Sequence, residues 1–156
     1  MWFWLSAEAE RTPGLGIIGG RRSRFFSQPS ARQAVTLAID RSSEGLRRFL
    51  PPDYVVDESQ AFEPARASQL ASGTGVESII AMTGESFARL TREISAMIRN
   101  NTGVTVEIRA VPDAQLIDRL TSDEAAGDPA DFVVGDDALA RQLTQLGFTN
   151  TQLIRI

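Results

Sequence analysis

The sequence predicts an α/β domain, a mixed and mostly parallel sheet flanked by helices. Three observations carry this expectation. The chain has 156 residues, 42% of them hydrophobic and 23% charged, enough to bury one core and ordinary for a globular protein. From residue 76 onward short apolar runs alternate with segments of helical periodicity. A strand, a helix and a strand then fit within about 30 residues, the size of a βαβ unit, whose two strands run parallel.

The elements come in this order. Pro29-Ser30 opens a helix with Ala31, Ala34, Val35, Ala38 and Ile39 on one face. A second helical stretch runs around Glu44–Leu50 and stops at Pro51-Pro52, where proline removes the donor a helix needs. Residues 51–63 read as a loop, and Pro64–Leu70 as a short helix ended by Ser72-Gly73-Thr74-Gly75. Val76–Met82 is a strand, and Thr83-Gly84-Glu85 makes a turn that caps the next helix. Over Ser86–Asn101, Phe87, Leu90, Ile94, Met97 and Ile98 make one apolar helical stripe. Gly103 suits a left-handed cap. Val104–Ile108 alternates as a half-buried strand. Val111-Pro112-Asp113 opens a short helix with Leu116, Ile117 and Leu120 inward, and Thr121 to Asp131 reads as a polar, acidic loop. Phe132-Val133-Val134 is a short buried strand. Asp136 or Asp137 caps a helix carrying Leu139, Leu143 and Leu146, closed by Gly147, and Thr151–Ile156 is a last strand. Trp2, Phe3 and Trp4 read either as a buried strand start or as a stub whose partners lie outside the chain.

Composition removes much chemistry. With no Cys and no His, disulfides, thiol catalysis, Ser-His-Asp hydrolysis and His- or Cys-ligated metals are excluded. All 16 basic residues are Arg, so Schiff-base and P-loop lysine roles go too. The net charge of −4 argues against nucleic acid, whose phosphates need surplus cations. That charge is uneven: the Arg-rich first third is positive, the last third strongly acidic. The apolar run Met1–Leu5 is too short for the core of a secretory signal, and no stretch approaches the ~20 apolar residues of a membrane span.

Four local patterns fail as motifs. Gly14-Leu15-Gly16-Ile17-Ile18-Gly19 matches G-x-G-x-x-G, but Thr12-Pro13 precedes it and Arg21-Arg22-Ser23-Arg24 follows before any helix. A dinucleotide site needs a strand before and a helix directly after, so a loop or short strand with glycines is the better reading. Asp123, Glu124, Asp128, Asp131, Asp136 and Asp137 could bind Mg²⁺ or Ca²⁺, but the spacing is not that of a calcium loop, and a solvated loop plus a helix cap accounts for them. Gly84-Glu85-Ser86-Phe87-Ala88 lacks the final glycine and the histidine of a nucleophile elbow. Asn100-Asn101-Thr102 is a glycosylation sequon by chance.

The most specific stretch is Phe25-Phe26-Ser27-Gln28-Pro29-Ser30-Ala31-Arg32-Gln33-Ala34-Val35-Thr36-Leu37-Ala38-Ile39-Asp40-Arg41. It closely resembles the "pF-x-d-x-x-v-R-q-A-l-x-x-A-i-D-R" segment of family 5 extracellular solute-binding proteins, the oligopeptide, dipeptide and nickel receptors of ABC importers. Arg32, Gln33, Ala34, Ala38, Ile39, Asp40 and Arg41 match position by position, and Ala31 stands for the family's valine. Phe62–Ala71 is similar to the "y-d-p-e-k-A-k-x-L-L" helix, Gly103–Val106 to "l-G-i-x-v", and Asp131-Phe132 to the "f-D" before a strand. Roughly residues 15–135 are covered, in order.

The resemblance implies a partial second lobe of a type II periplasmic-binding-protein-like fold. Residues 1–29 would form an N-terminal strand and loop segment, and 30–156 the lobe. Arg32, Gln33, Ala34, Asp40 and Arg41 would be fold residues, with Arg32 and Asp40 two turns apart on one helix. The implied function is capture of a peptide or other small solute for an ABC permease, without catalysis and without a cofactor or metal, in the periplasm or outside the cell. As written the chain lacks the export signal, the first lobe and the aromatic- and Asp-bearing stretch that helps hold a peptide's amino terminus. Asp136 and Asp137 lie near that place and are the candidate ligand contacts. With one wall missing, an exposed apolar patch is expected. The alternative is a cytoplasmic regulatory or sensor domain reusing the same lobe.

Overall fold

The computed structural model describes residues 14–20, 22–146 and 153–156. Five strands form one sheet: β1 (Leu15–Gly19), β2 (Ser78–Gly84), β3 (Thr105–Val111), β4 (Phe132–Asp136) and β5 (Leu153–Arg155). Their order across the sheet is β3-β2-β4-β1-β5. β2 runs parallel to both β3 and β4, while β1 is antiparallel to β4 and to β5. The sheet is therefore mixed, with two parallel and two antiparallel pairings. Six helices accompany it among the described residues: α1 (Pro29–Ala38), α2 (Glu44–Arg47), α3 (Pro64–Ser72), α4 (Ala88–Thr102), α5 (Leu116–Ala125) and α6 (Asp137–Gln145).

Strand alternation divides the apolar side chains between two layers. Ile17, Ile79, Ala81, Phe132 and Val134 face one layer, where Ala31, Ala34 and Val35 of α1 and Leu90, Ile94 and Ile98 of α4 pack on them. Ile18, Met82 and Val133 face the other, covered by Leu116 and Leu120 of α5 and Leu143 of α6. Small alanines on α1 let it approach closely, and Phe25 and Phe26 fill the space at its start, edge to face at 5.2 Å. The connection β2-α4-β3 thus lies on one face and β3-α5-β4 on the other.

Gly103 closes α4 with φ of 81° and its N–H on the Arg99 carbonyl, as its position after Asn101-Thr102 predicts. Asp136 caps α6, accepting the Leu139 N–H at 2.9 Å. The expected stop of α6 at Gly147 and the expected strand around Trp2–Trp4 fall outside the described residues.

Two expectations about helix extent change. α5 runs on through Ala125, so the loop expected from Thr121 begins only after it. Thr121 bonds back to the Ile117 carbonyl and Arg119 pairs with Asp123 one turn on, which makes the polar run helical. α1 ends at Ala38, so Asp40 is not two turns from Arg32 on that helix. Its carboxylate accepts the Ser42 N–H and hydroxyl instead, the local competition that ends helices at Asp. The glycine-rich stretch, expected as a loop or short strand, is the strand β1, buried at every position. It lies inside the sheet between β4 and β5. The exposed large hydrophobics among the described residues, Val55, Phe62 and Leu146, lie in three separate segments, not in one stretch of chain.

Candidate functional site

Where consecutive connections leave a parallel sheet on opposite faces, the strand ends between them are left uncovered, and α/β proteins bind ligands there. Here that point is the carboxyl end of β2 and β4. The ends of β3 (Val111), β2 (Gly84) and β4 (Asp136) line one edge of the sheet. Because β1 is antiparallel, its beginning lies at the same edge, with Leu15 opposite Asp136, and the end of β5 joins it, with Arg155 opposite Gly16.

On one side of this edge Asp113, just after β3, reaches across to β2. Its carboxylate accepts the Ser86 N–H at 3.1 Å and also the Ser86 hydroxyl. Gly84 leaves the room: a Cβ there would stand 2.2 Å from Asp113 Oδ1. The hydroxyl and amide of Ser86 hold the exposed Asp113 carboxyl below its ordinary range. Beneath them two buried threonines, Thr83 and Thr91, share a hydroxyl contact of 2.9 Å.

On the other side lie the two carboxylates expected from sequence. Asp136 turns back to cap α6. Asp137 forms an ion pair of 2.6 Å with Arg155 and accepts the Gly14 N–H at 3.1 Å. The two neighbours therefore point to different partners. Among the described residues Asp137, and not Asp136, joins an ion pair, and both of its members, about 37% and 43% exposed, remain open to solvent. Two hollows flank Arg155: one of about 620 Å³ lined by Gly14, Asp53, Tyr54, Val55, Asp57 and Ile156, and one of about 530 Å³ lined by Asp137, Ala140, Arg141, Thr144 and Gln145.

The remaining positions singled out in the sequence lie elsewhere. Arg32 donates to the Phe26 carbonyl at 2.8 Å and braces the turn before α1. Gln33 is exposed and Ala34 buried against the sheet. Arg41 is 5% exposed and donates to the carbonyls of Thr36, Ile39 and Arg155. Desolvation lowers its pKa, opposed by the nearby Asp57.

Sequence reasoning did not single out Tyr54, Arg155, Gly14 or the Ser86–Asp113 pair for this edge. A lone tyrosine in a predicted loop and the penultimate arginine carry no spacing signal. Chemically, the edge offers carboxylates that already accept hydrogen bonds, and arginines. That set is chemically suited to charged and hydrogen-bonding groups. Among the described residues no cluster of three or more Asp or Glu is placed to hold a metal ion, and no helix is long and apolar enough to cross a membrane.

No protein-family model matches the chain, nor does any curated protein. Solved structures do match its fold. The murein tripeptide binding protein MppA of Escherichia coli superposes with a TM-score of 0.62 at 15% identity, covering 91% of this chain and 38% of that one. The PBP AgaA of A. tumefaciens R10, solved with agropinic acid, gives 0.61 at 16% identity over 80% of this chain and 28% of its own. Haemophilus influenzae OppA, solved with the peptide RPPGFSPFR, gives 0.59 at 15% identity over 86% and 32%. The likeness is one of fold, and the chain spans about a third of the length of these proteins.

Proposed function

We propose that this chain is a lobe of a solute-binding component of an ABC-type importer, that its solute is a peptide, and that it works by capture without catalysis in the periplasm or outside the cell. The observation that supports the reading is the fold shared with MppA, named as a tripeptide binding protein, with OppA, solved with a peptide, and with AgaA. The ordered Phe25–Arg41 resemblance points the same way. In this reading the carboxyl edge is one wall of the cleft. Asp137 supplies a carboxylate for a cationic group, Arg155 a guanidinium for an anionic one, and Asp136 reaches the solute only through the helix it caps. A cleft needs two walls to enclose most of a ligand's surface, so this lobe alone holds its solute weakly.

The test is a chemical-shift titration of the isotopically labelled 156-residue chain with tri- to nonapeptides at millimolar concentration. The expected result is a set of shifts confined to the amides of Gly14, Glu85, Ser86, Asp137 and Arg155, reduced in D137N. Shifts centred on Gly75–Ser78 at the opposite edge, or none with any peptide at that concentration, would overturn the proposal.

A further inference from the structure

The ends of β1 and β5 are enclosed by a closed ring of polar contacts. Arg41, buried beyond the end of α1, holds the Arg155 carbonyl with two of its nitrogens, at 3.1 and 2.6 Å. The side chain of the same Arg155 pairs with Asp137, and Asp137 accepts the Gly14 N–H. One residue on, the Leu15 N–H donates to the Tyr54 hydroxyl at 2.9 Å. That hydroxyl faces the carbonyls of Leu15 and Ile156, each at 3.3 Å. The Ile156 carbonyl also accepts the Asp57 N–H at 3.0 Å, and the Ile156 N–H returns to the Leu15 carbonyl at 3.1 Å. Asp57 lies near enough to Arg41 for each to favour the other's charged form.

We propose that this ring is a latch: Arg41 and Tyr54 are positioning residues that make the start of β1 and the end of β5 one mechanical unit, and Asp137 is the link through which the candidate ligand edge reads or releases it. The latch itself stands on the geometry alone; its connection to a solute rests on the function proposed above.

Three features carry the argument. First, β5 is, among the described residues, the outer strand and contributes three residues to the ladder, so its ladder bonds are few. Arg41 holds the side of it that faces away from β1. Second, a single guanidinium reaching three carbonyls uses a planar fork that a lysine ammonium lacks, so Arg41 is chemically specific. Third, Gly14 leaves the room the ion pair occupies: a Cβ would lie 2.1 Å from Arg155 Nη1 and 3.1 Å from Asp137 Oδ2, so a larger residue there would push the guanidinium out of the pair. A cationic group that draws Asp137 away frees Gly14 and Arg155 together, and both lead to the same two strand ends.

The test is amide hydrogen exchange on the full chain, comparing Y54F, D137N and R41K. The reporters are the amides of Leu15, Ile156 and Asp57; the controls are Ala81 of β2 and Val134 of β4, on strands not paired with β5. Losing one such bond should speed exchange about tenfold where the bond acts on local opening. The latch predicts that D137N, whose own contacts are to Gly14 and Arg155, also speeds Leu15, Ile156 and Asp57, and that Y54F reciprocally speeds Gly14. Controls should stay unchanged in both. If D137N affects only Gly14 and the first turn of α6 while Y54F affects only its direct partners, the contacts are independent and the latch is wrong. A uniform rise including the controls would mean loss of global stability and would overturn it equally. Should R41K fail to fold, Y54F with D137N decides without it. If the latch behaves as proposed but no peptide shifts the Asp137 amide, the solute reading fails alone.

Discussion

The two edges of the sheet are built from the same kinds of residue and held together in different ways. At the amino edge, where β2, β3 and β4 begin, the turns contain the three glycines of positive φ among the described residues: Gly75, Gly103 and Gly127. No atom lies within 4 Å of a Cβ built on any of them, so they are needed for backbone conformation, not for space. A fourth glycine there, Gly20, would press its Cβ on the Ala130 carbonyl at 2.6 Å. Asp131 completes this edge, accepting the Ser23 hydroxyl and the Ile80 N–H, both at 2.7 Å. At the carboxyl edge the glycines Gly14, Gly84 and Gly135 make room for the side chains of Arg155, Asp113 and Leu139. The amino edge is set by main-chain turns together with the partly buried Asp131 carboxylate, the carboxyl edge by more exposed side chains reaching from neighbouring elements. Exposed side chains can swing aside more readily than a main-chain turn, so the carboxyl edge, where we propose the solute binds, is the one that can yield.

Substitutions should separate the two edges by the size of their effect. The largest loss is expected from D131A, which leaves the Ile80 N–H and the Ser23 hydroxyl without their shared acceptor. Orphaning buried donors costs about 2–3 kcal/mol, read as a fall in the urea midpoint. D131N retains the shape and one acceptor and should lose less than half as much; equal losses would show that Asp131 acts through its charge. Next, G103A forces an L-residue into the left-handed region and should cost about 1–2 kcal/mol. Its counterpart at the other edge, G14A, needs only the Arg155 guanidinium to move and should stay within about 0.5 kcal/mol of wild type, while weakening the Asp137 ion pair. A G14A loss as large as that of G103A would erase the distinction.

A pH series sharpens the same contrast. Burial raises the Asp131 pKa above its ordinary value, outweighing its hydrogen bonds to Ser23 and Ile80. The folded state then holds a proton more tightly than the unfolded chain, so the contribution of this group is fully present below about pH 3.8, the unfolded value, and is lost as pH rises through the folded one. Wild type measured against D131N should therefore gain relative stability as pH falls from 7 toward 4; a flat difference would refute the assignment. The smallest effect is expected from S86A. It releases the exposed Asp113, whose carboxyl is held down by that hydroxyl and amide, and it should leave the unfolding midpoint unmoved while raising the Asp113 pKa in an NMR titration.

Much of this was legible residue by residue. The stripe Leu90, Ile94, Ile98 defined α4, and Asn101-Thr102-Gly103 stopped it where the backbone turns left-handed. The apolar run Phe132–Val134 marked β4, and a helix cap was expected at Asp136 or Asp137. Pairing was harder. Nothing local says that Leu15–Gly19 lies between β4 and β5, because register and order depend on contacts more than a hundred residues away. The carboxyl edge was half legible for the same reason: Asp136 and Asp137 stand out as a pair after a strand, but Arg155, Gly14 and Tyr54 join them only through the topology. Helix extent failed where polar residues helped each other, as at Thr121–Ala125, and where one side chain ended the helix early, as at Asp40.

The position of β1 also has a consequence in time. Its ladder partner, β4, begins more than a hundred residues later in the chain. At a synthesis rate of about 5–20 residues per second, β1 waits about 6–23 seconds on the ribosome before that partner exists. An apolar strand left unpaired so long is an aggregation hazard. Leu15-Gly16-Ile17-Ile18-Gly19 answers this within its own sequence. Its two glycines lower the tendency to add to a foreign sheet, and Gly14 and Gly20 extend the protection to both ends. The spacing that mimics a nucleotide loop thus reads as the signature of a strand made early and used late.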